Sequence, residues 1–174
     1  MGLNLFEFAL VLAVMTGLAV LMGRWLARAF DEPGHWAGER LSYHALGIDP
    51  SERMGWPRYG LALLLSIAAM MGLGYLLLRL QGVLPLNGLG NAAQPPDLAF
   101  NTAASFITNT NWQAYAGEAS LSNATQMVAI TFLMFAGATA GVAAAGGFIR
   151  ALGRASSADI GHYWVDFMRV LQAV

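Results

Sequence analysis

Three long apolar runs bounded by arginine set the pattern of this chain. Residues Phe8 to Gly23 carry no charge, and with Leu3 to Phe6 ahead of them they approach the roughly 20 apolar residues needed to cross about 30 Å of hydrocarbon. Glu7 is the one charge in that window, close enough to its end for the carboxylate to snorkel to the interface. Arg24 and Arg28 follow the run, the reverse of a cleaved signal peptide, so 1–30 reads as a retained first transmembrane helix. A loop over 31–58 comes next. It mixes Pro33, Gly34, Gly47, Pro50 and Pro57 with many charges, has room only for short helices, and contains Asp49-Pro50-Ser51-Glu52, which resembles a helix start.

Tyr59 to Leu78 is a second uncharged run, closed by Arg79 and headed by Trp56 and Tyr59, which suit an interfacial position. It predicts a span over 59–80. The third run, Ala119 to Ile149, has no charge for 31 positions and ends at Arg150 and Arg154, predicting a span over 119–150 with room to tilt. Its small residues Ala136, Gly137, Ala140, Gly141, Ala144, Gly146 and Gly147 point to close helix approach rather than to a hinge at Gly146-Gly147. Between the second and third runs, 81–118 is rich in Gly, Pro and Asn. Within it Asp97 to Thr108 has a short helical pattern introduced by Pro95-Pro96, with Asp97 as a candidate cap, and at about twelve residues it is too short to cross. The last segment, 151–174, reads as an amphipathic start at the threshold of a further helix.

Composition strengthens the membrane reading. Of the 174 residues 57% are hydrophobic and only 11% charged, with mean hydropathy +0.53. Net charge is −1 with no basic cluster, which removes the electrostatic basis for nucleic-acid binding. No cysteine is present, so disulfide frameworks, thiolate metal sites and cysteine nucleophiles are excluded. All nine basic residues are arginine, and eight of them fall before the second run or after the third, only Arg79 lying on the other side. Positive charge collects in cytoplasmic loops. That places 31–58 and 151–174 in the cytoplasm, and the N-terminus and 81–118 outside.

The stretch from Asn101 to Glu118 carries the candidate chemistry. A short helix aimed into the bilayer would present its negative dipole end to a dehydrating cation, and Thr108-Asn109-Thr110-Asn111-Trp112 would then rise outward with backbone carbonyls replacing a hydration shell. Gln113 and Glu118 would line the outer mouth. A polar extracytoplasmic loop between two ordinary spans accounts for the same residues, since Thr and Asn are common in turns. Hydropathy does not choose between them.

The string Phe106-Ile107-Thr108-Asn109-Thr110-Asn111-Trp112-Gln113, followed by Tyr115 and Gly117-Glu118, resembles the first pore loop of the A subunit of the bacterial Kdp potassium-transporting ATPase. Gly38-Glu39-Arg40, Leu84-Pro85-Leu86-Asn87, Ile149-Arg150-Ala151 and Trp164-Val165-Asp166 extend the likeness along the chain. The resemblance implies an all-α membrane protein, an N-terminal helix followed by one helix, re-entrant pore loop, helix unit of the potassium-channel-like superfamily. It implies potassium as the ion held at Thr108, Asn109, Thr110 and Asn111, residence in the bacterial inner membrane, and partner subunits B, C and F, with ATP hydrolysed in a partner. One loop offers too few carbonyls for a complete site, so the remaining repeats of the A subunit are expected elsewhere. The channel-type Thr-Val-Gly-Tyr-Gly run is missing, and without its glycines left-handed backbone is harder to reach. Two other readings stand beside this one: a homotetrameric channel-like protein and a transport-inactive truncated scaffold. His35 and His44, nine apart, match no zinc spacing, and no Walker, HExxH or Gly-x-Ser-x-Gly motif occurs. Met70-Met71 and Phe132 to Phe135 read as packing or lipid-facing residues.

Overall fold

The computed structural model describes residues 4–31, 37–153 and 159–173. His35 lies outside them, as does Arg154. The elements in chain order are α1 (Leu5–Asp31), α2 (Ala37–Leu46), β1 (Met54–Gly55), α3 (Trp56–Leu80), α4 (Pro96–Ile107), α5 (Gly117–Ser120), a π-helical segment (Thr125–Ile130) running into α6 (Thr131–Gly153), β2 (Asp159–Gly161) and α7 (Tyr163–Ala173). Three helices, over Leu5–Arg28, Trp56–Leu80 and Thr125–Gly153, are long and apolar enough to cross a membrane.

Helix α3 begins at Trp56 because Pro57 in its first turn has the right φ and needs no N–H partner. Asp49 does not start a helix. Its carboxylate accepts from the Ser51 N–H (2.9 Å) and hydroxyl (2.6 Å), closing a local turn. The third span starts later than its uncharged run. Gly117–Ser120 forms one turn, and Leu121 is extended at ψ 139°; Ser122 then caps the next segment by accepting from the Thr125 N–H at 3.1 Å.

Two apolar clusters stack along α6. Towards the α4 end, Leu133 and Ala136 pack with Leu78 of α3 and with Ala99, Ala103, Phe106 and Ile107 of α4. Towards the other end, Ala140 and Ala143 pack with Tyr59, Tyr163 and Phe167, while β1 and β2 pair antiparallel beside them. The small residues of α6 permit this double contact. Gly146 lies against the Phe30 ring and Gly147 against the Tyr59 ring, where a Cβ would sit 2.5 Å and 2.9 Å from ring carbons, and the helix runs unbroken past both. They are packing positions. Helix α1 leaves its apolar side chains exposed along its length, and is held at its end by Arg169 donating to the Phe30 carbonyl (3.2 Å).

Candidate functional site

The candidate site is built on the C-terminal end of α4. Pro95 occupies the cap position of this helix and Asp97 lies inside its first turn, so the carboxylate complements the helix dipole rather than capping an N–H. One face of α4 is buried against α3 and α6 through Ala99, Thr102, Ala103, Phe106 and Ile107. That packing fixes where the helix ends. It ends at Ile107, with Thr108 at φ −93°, ψ 5°.

The chain after Ile107 folds back onto the helix it has just left. The N–H of Asn109 donates to the Phe106 carbonyl (3.2 Å), and those of Thr110 and Asn111 both donate to the Ser105 carbonyl (2.9 and 3.2 Å). The Trp112 N–H donates to Ser105 Oγ at 2.8 Å, and that hydroxyl donates in turn to the Trp112 carbonyl at 3.1 Å. In a planar trans peptide the N–H and the preceding C=O point in opposite directions. With four successive N–H groups turned towards α4, the carbonyls of Thr108, Asn109, Thr110 and Asn111 point away from it. Among the described residues none of these four carbonyls accepts a hydrogen bond.

This arrangement needs alternating backbone handedness. Asn109 and Asn111 have φ of 58° and 54°, whereas Thr108 is right-handed and Thr110 is not among the positive-φ residues. The lack of glycine in this stretch is an obstacle to left-handed backbone for most residues. Asparagine removes it, because its short polar side chain tolerates the left-handed region better than other Cβ-bearing residues do. The Thr108 and Thr110 hydroxyls lie 3.1 Å apart, and Thr108 Oγ1 also donates to the Ala104 carbonyl at 2.8 Å. All five residues from Thr108 to Trp112 are exposed in the isolated chain, with Trp112 83% accessible.

Gln113 and Glu118 are brought together, but in a neighbouring cleft of about 380 Å³ lined also by Phe106, Gln126, Met127 and Thr131, and by none of Thr108 to Asn111. Gln113 Oε1 is enclosed and without a hydrogen-bond partner among the described residues. Glu118 is exposed. Beyond Gln113 the returning chain is pinned by the Tyr115 hydroxyl, 3.0 Å from Thr102 Oγ1. Gln126, at the start of the π-helical segment, donates to the carbonyls of Gly117 and Leu121, both at 3.3 Å.

Two supporting residues were not assigned a role from sequence. Ser105 holds three of the four loop amides, through its carbonyl and hydroxyl together. Gly137 of α6 lies directly behind the end of α4, where a Cβ would stand 2.5 Å from the Ile107 carbonyl oxygen and 3.1 Å from Asn109 Nδ2. Ser105 stands seven residues before its partner, a spacing with no periodic signature. Gly137 was visible only as one of several small residues.

At the other end of α6 a second polar group forms. Asp166, 3% exposed, accepts from the Tyr59 hydroxyl (2.9 Å) and from Arg150, whose Nε donates to the Ile160 carbonyl (2.7 Å). Burial pushes the Asp166 carboxyl above its ordinary pKa, with Arg150 and Tyr59 opposing the shift. His162, also buried, has its pKa lowered by burial despite Glu52 Oε2 at 3.7 Å, and its Nδ1 accepts from the Val165 N–H at 3.4 Å. A neutral imidazole fits that role. His44 is exposed, and among the described residues no group of three His, Cys, Asp or Glu side chains converges on a metal position.

Comparison with known proteins identifies the family. The model of the potassium-transporting ATPase A subunit family, KdpA, matches residues 9–174. A potassium-transporting ATPase potassium-binding subunit of Delftia acidovorans is 70% identical over all of the chain, which covers 31% of that relative. Proteins of the same name from Sorangium cellulosum and Alicyclobacillus acidocaldarius are 47% and 51% identical over 92% and 75% of the chain, covering 29% and 23% of their lengths. The chain thus spans about a third or less of the curated relatives it matches. A match over nearly every residue, including the carbonyl loop and the helices that hold it, means that this chain belongs to the potassium-transporting ATPase A subunit family.

Proposed function

We propose that this chain forms the first pore-loop unit of a potassium-translocating subunit, in which the carbonyls of Thr108, Asn109, Thr110 and Asn111 replace part of the hydration shell of an incoming potassium ion. The observation that carries this reading is the set of four consecutive carbonyls turned away from α4 with no hydrogen-bond donor among the described residues. Unpaired carbonyls at membrane depth are costly unless water or an ion meets them. Their dipoles suit a monovalent cation, and the negative end of α4 behind them adds to the attraction.

One loop cannot surround an ion, so the site is completed by further loops of the same subunit, in keeping with relatives about three times as long. The loop lies on the extracytoplasmic side and the arginine-rich segments lie in the cytoplasm of a bacterial inner membrane, as the distribution of positive charge favours. Partner subunits B, C and F supply ATP hydrolysis and the onward path. This chain contributes ion selection, without hydrolysis. Gln113 and Glu118 act at the outer mouth, Gln113 by its unpaired Oε1.

Potassium-stimulated ATP hydrolysis by the full-length subunit assembled with its partners tests the assignment. Gln113→Arg places a cation beside the mouth and should raise the potassium concentration needed for half-maximal activity and alter potassium-over-rubidium preference. Unaltered affinity and preference would remove Gln113 from the pathway.

A further inference from the structure

A second cleft lies at the opposite end of α3 from the carbonyl loop. It has a volume of about 530 Å³, within the range of small-molecule sites. One wall is the segment between α2 and α3, carrying Asp49 and Glu52, and another is His162 with Trp164 at the head of α7. The floor is the outward stripe of α3: Arg58, Leu61, Ala62 and Leu65, at the i, i+3, i+4, i+7 spacing of one helix face. Leu61 and Leu65 are 57% and 59% exposed, inside a segment apolar enough to cross a membrane. The cleft is therefore polar where α3 begins and becomes an exposed apolar stripe within two turns.

Its charges form a specific pattern. Glu52 pairs with Arg58, and Asp49 is exposed beside them with its carboxyl held below the ordinary range by the hydroxyl and N–H of Ser51. Burial pushes the His162 pKa down, against the pull of Glu52 and Asp166. Two carboxylates against one guanidinium leave the rim with a net negative charge. Such a rim disfavours an anionic headgroup and favours one that brings a cation alongside its phosphate.

We propose that this cleft binds a zwitterionic phospholipid with a primary ammonium, its phosphate on Arg58, its ammonium between Asp49 and Glu52, and an acyl chain along Leu61, Ala62 and Leu65. Trp164 lines the cleft beside the start of α3, and an indole ring suits the interface between headgroups and hydrocarbon. The primary ammonium matters because it can donate three hydrogen bonds to carboxylates, whereas a quaternary one donates none. The site is distinct from the carbonyl loop, and its occupancy does not depend on the ion assignment.

Native mass spectrometry of the full-length protein with its partner subunits, delipidated in mild detergent and titrated with dioleoyl lipids, tests the proposal. Phosphatidylethanolamine should be retained at least about five-fold more than phosphatidylcholine or phosphatidylglycerol, and retention should fall with each N-methyl group added to the headgroup. Asp49→Asn combined with Glu52→Gln should bring ethanolamine lipid down to the phosphatidylcholine level. Asn keeps the side-chain oxygen that turns Ser51 and Gln keeps an acceptor for Arg58, so the loop is conserved; if the double variant still fails to fold, the methylation series on the unaltered protein decides. Equal retention of the three lipids overturns the proposal. So does a preference untouched by the double variant, or absence of bound lipid because other protein segments fill the cleft.

Discussion

Replacing Gly137 with alanine tests whether α6 sets the position of the carbonyl loop. The new Cβ would stand 2.5 Å from the Ile107 carbonyl oxygen and 3.0 Å from its carbon. Both are backbone atoms and cannot rotate aside, unlike Asn109 Nδ2 at 3.1 Å. Ordinary contact begins near 3.4 Å, so the end of α4 must retreat by about 0.9 Å. Thr108 follows Ile107 directly, so its carbonyl moves with the helix end. Overpacking of this kind costs about 1–3 kcal/mol, and if the ion-bound arrangement bears that cost, potassium affinity falls about 5- to 150-fold. The control is on the same helix. Gly141, one turn on, is exposed and has no neighbouring atom within 4 Å of an added Cβ, so Gly141→Ala should leave affinity unchanged and gain up to about 1 kcal/mol of helix propensity. The assay is potassium-stimulated ATP hydrolysis by the full-length complex, with thermal unfolding measured in parallel. If Gly137→Ala shifts half-saturation no further than Gly141→Ala does, α6 does not position the loop.

Asn111→Ala should weaken apparent potassium affinity by about 5- to 30-fold, because a left-handed alanine costs about 1–2 kcal/mol, whereas Asn111→Gly should stay near the unaltered value in the same assay. Arg150→Ala leaves Asp166 buried without its cation and should destabilise the fold by about 3–5 kcal/mol; Arg150→Met with Asp166→Leu should recover more than half of the loss in a thermal melt. His162 is depressed below its ordinary pKa, so its contribution to stability is complete above about pH 6.5 and is lost as pH falls through the folded-state value. Glu52, Asp166 and Arg58 act on it, the carboxylates opposing the shift. The melting temperature should therefore drop as pH falls below about 6.5, and His162→Asn, which can still cap α7, should flatten that drop.

Hydropathy and arginine spacing by themselves determined the three spans, since a helix crossing hydrocarbon must be about 20 residues long and nearly free of charge whatever it packs against. Pro95-Pro96 and the short run after them likewise marked α4, because proline's fixed φ suits a first helical turn. The unbroken Thr108-to-Gln113 string located the candidate site. Its workings were decided in three dimensions. Nothing local in the sequence shows that Ser105 gathers the amides of Thr110, Asn111 and Trp112, because that depends on the chain doubling back over a distance with no periodic signature. The same holds for Gly137, equivalent to Gly141 in the sequence pattern, yet pressed against Ile107 while Gly141 meets open space. In the sequence Arg150 closes the third apolar run and Asp166 falls in the amphipathic last segment, and only the packing of α7 against α3 and α6 turns them into a buried pair. Sequence fixes what each segment can bury and how far it reaches, while directions of carbonyls and partners of buried charges follow from which helices meet, a property of the assembled chain.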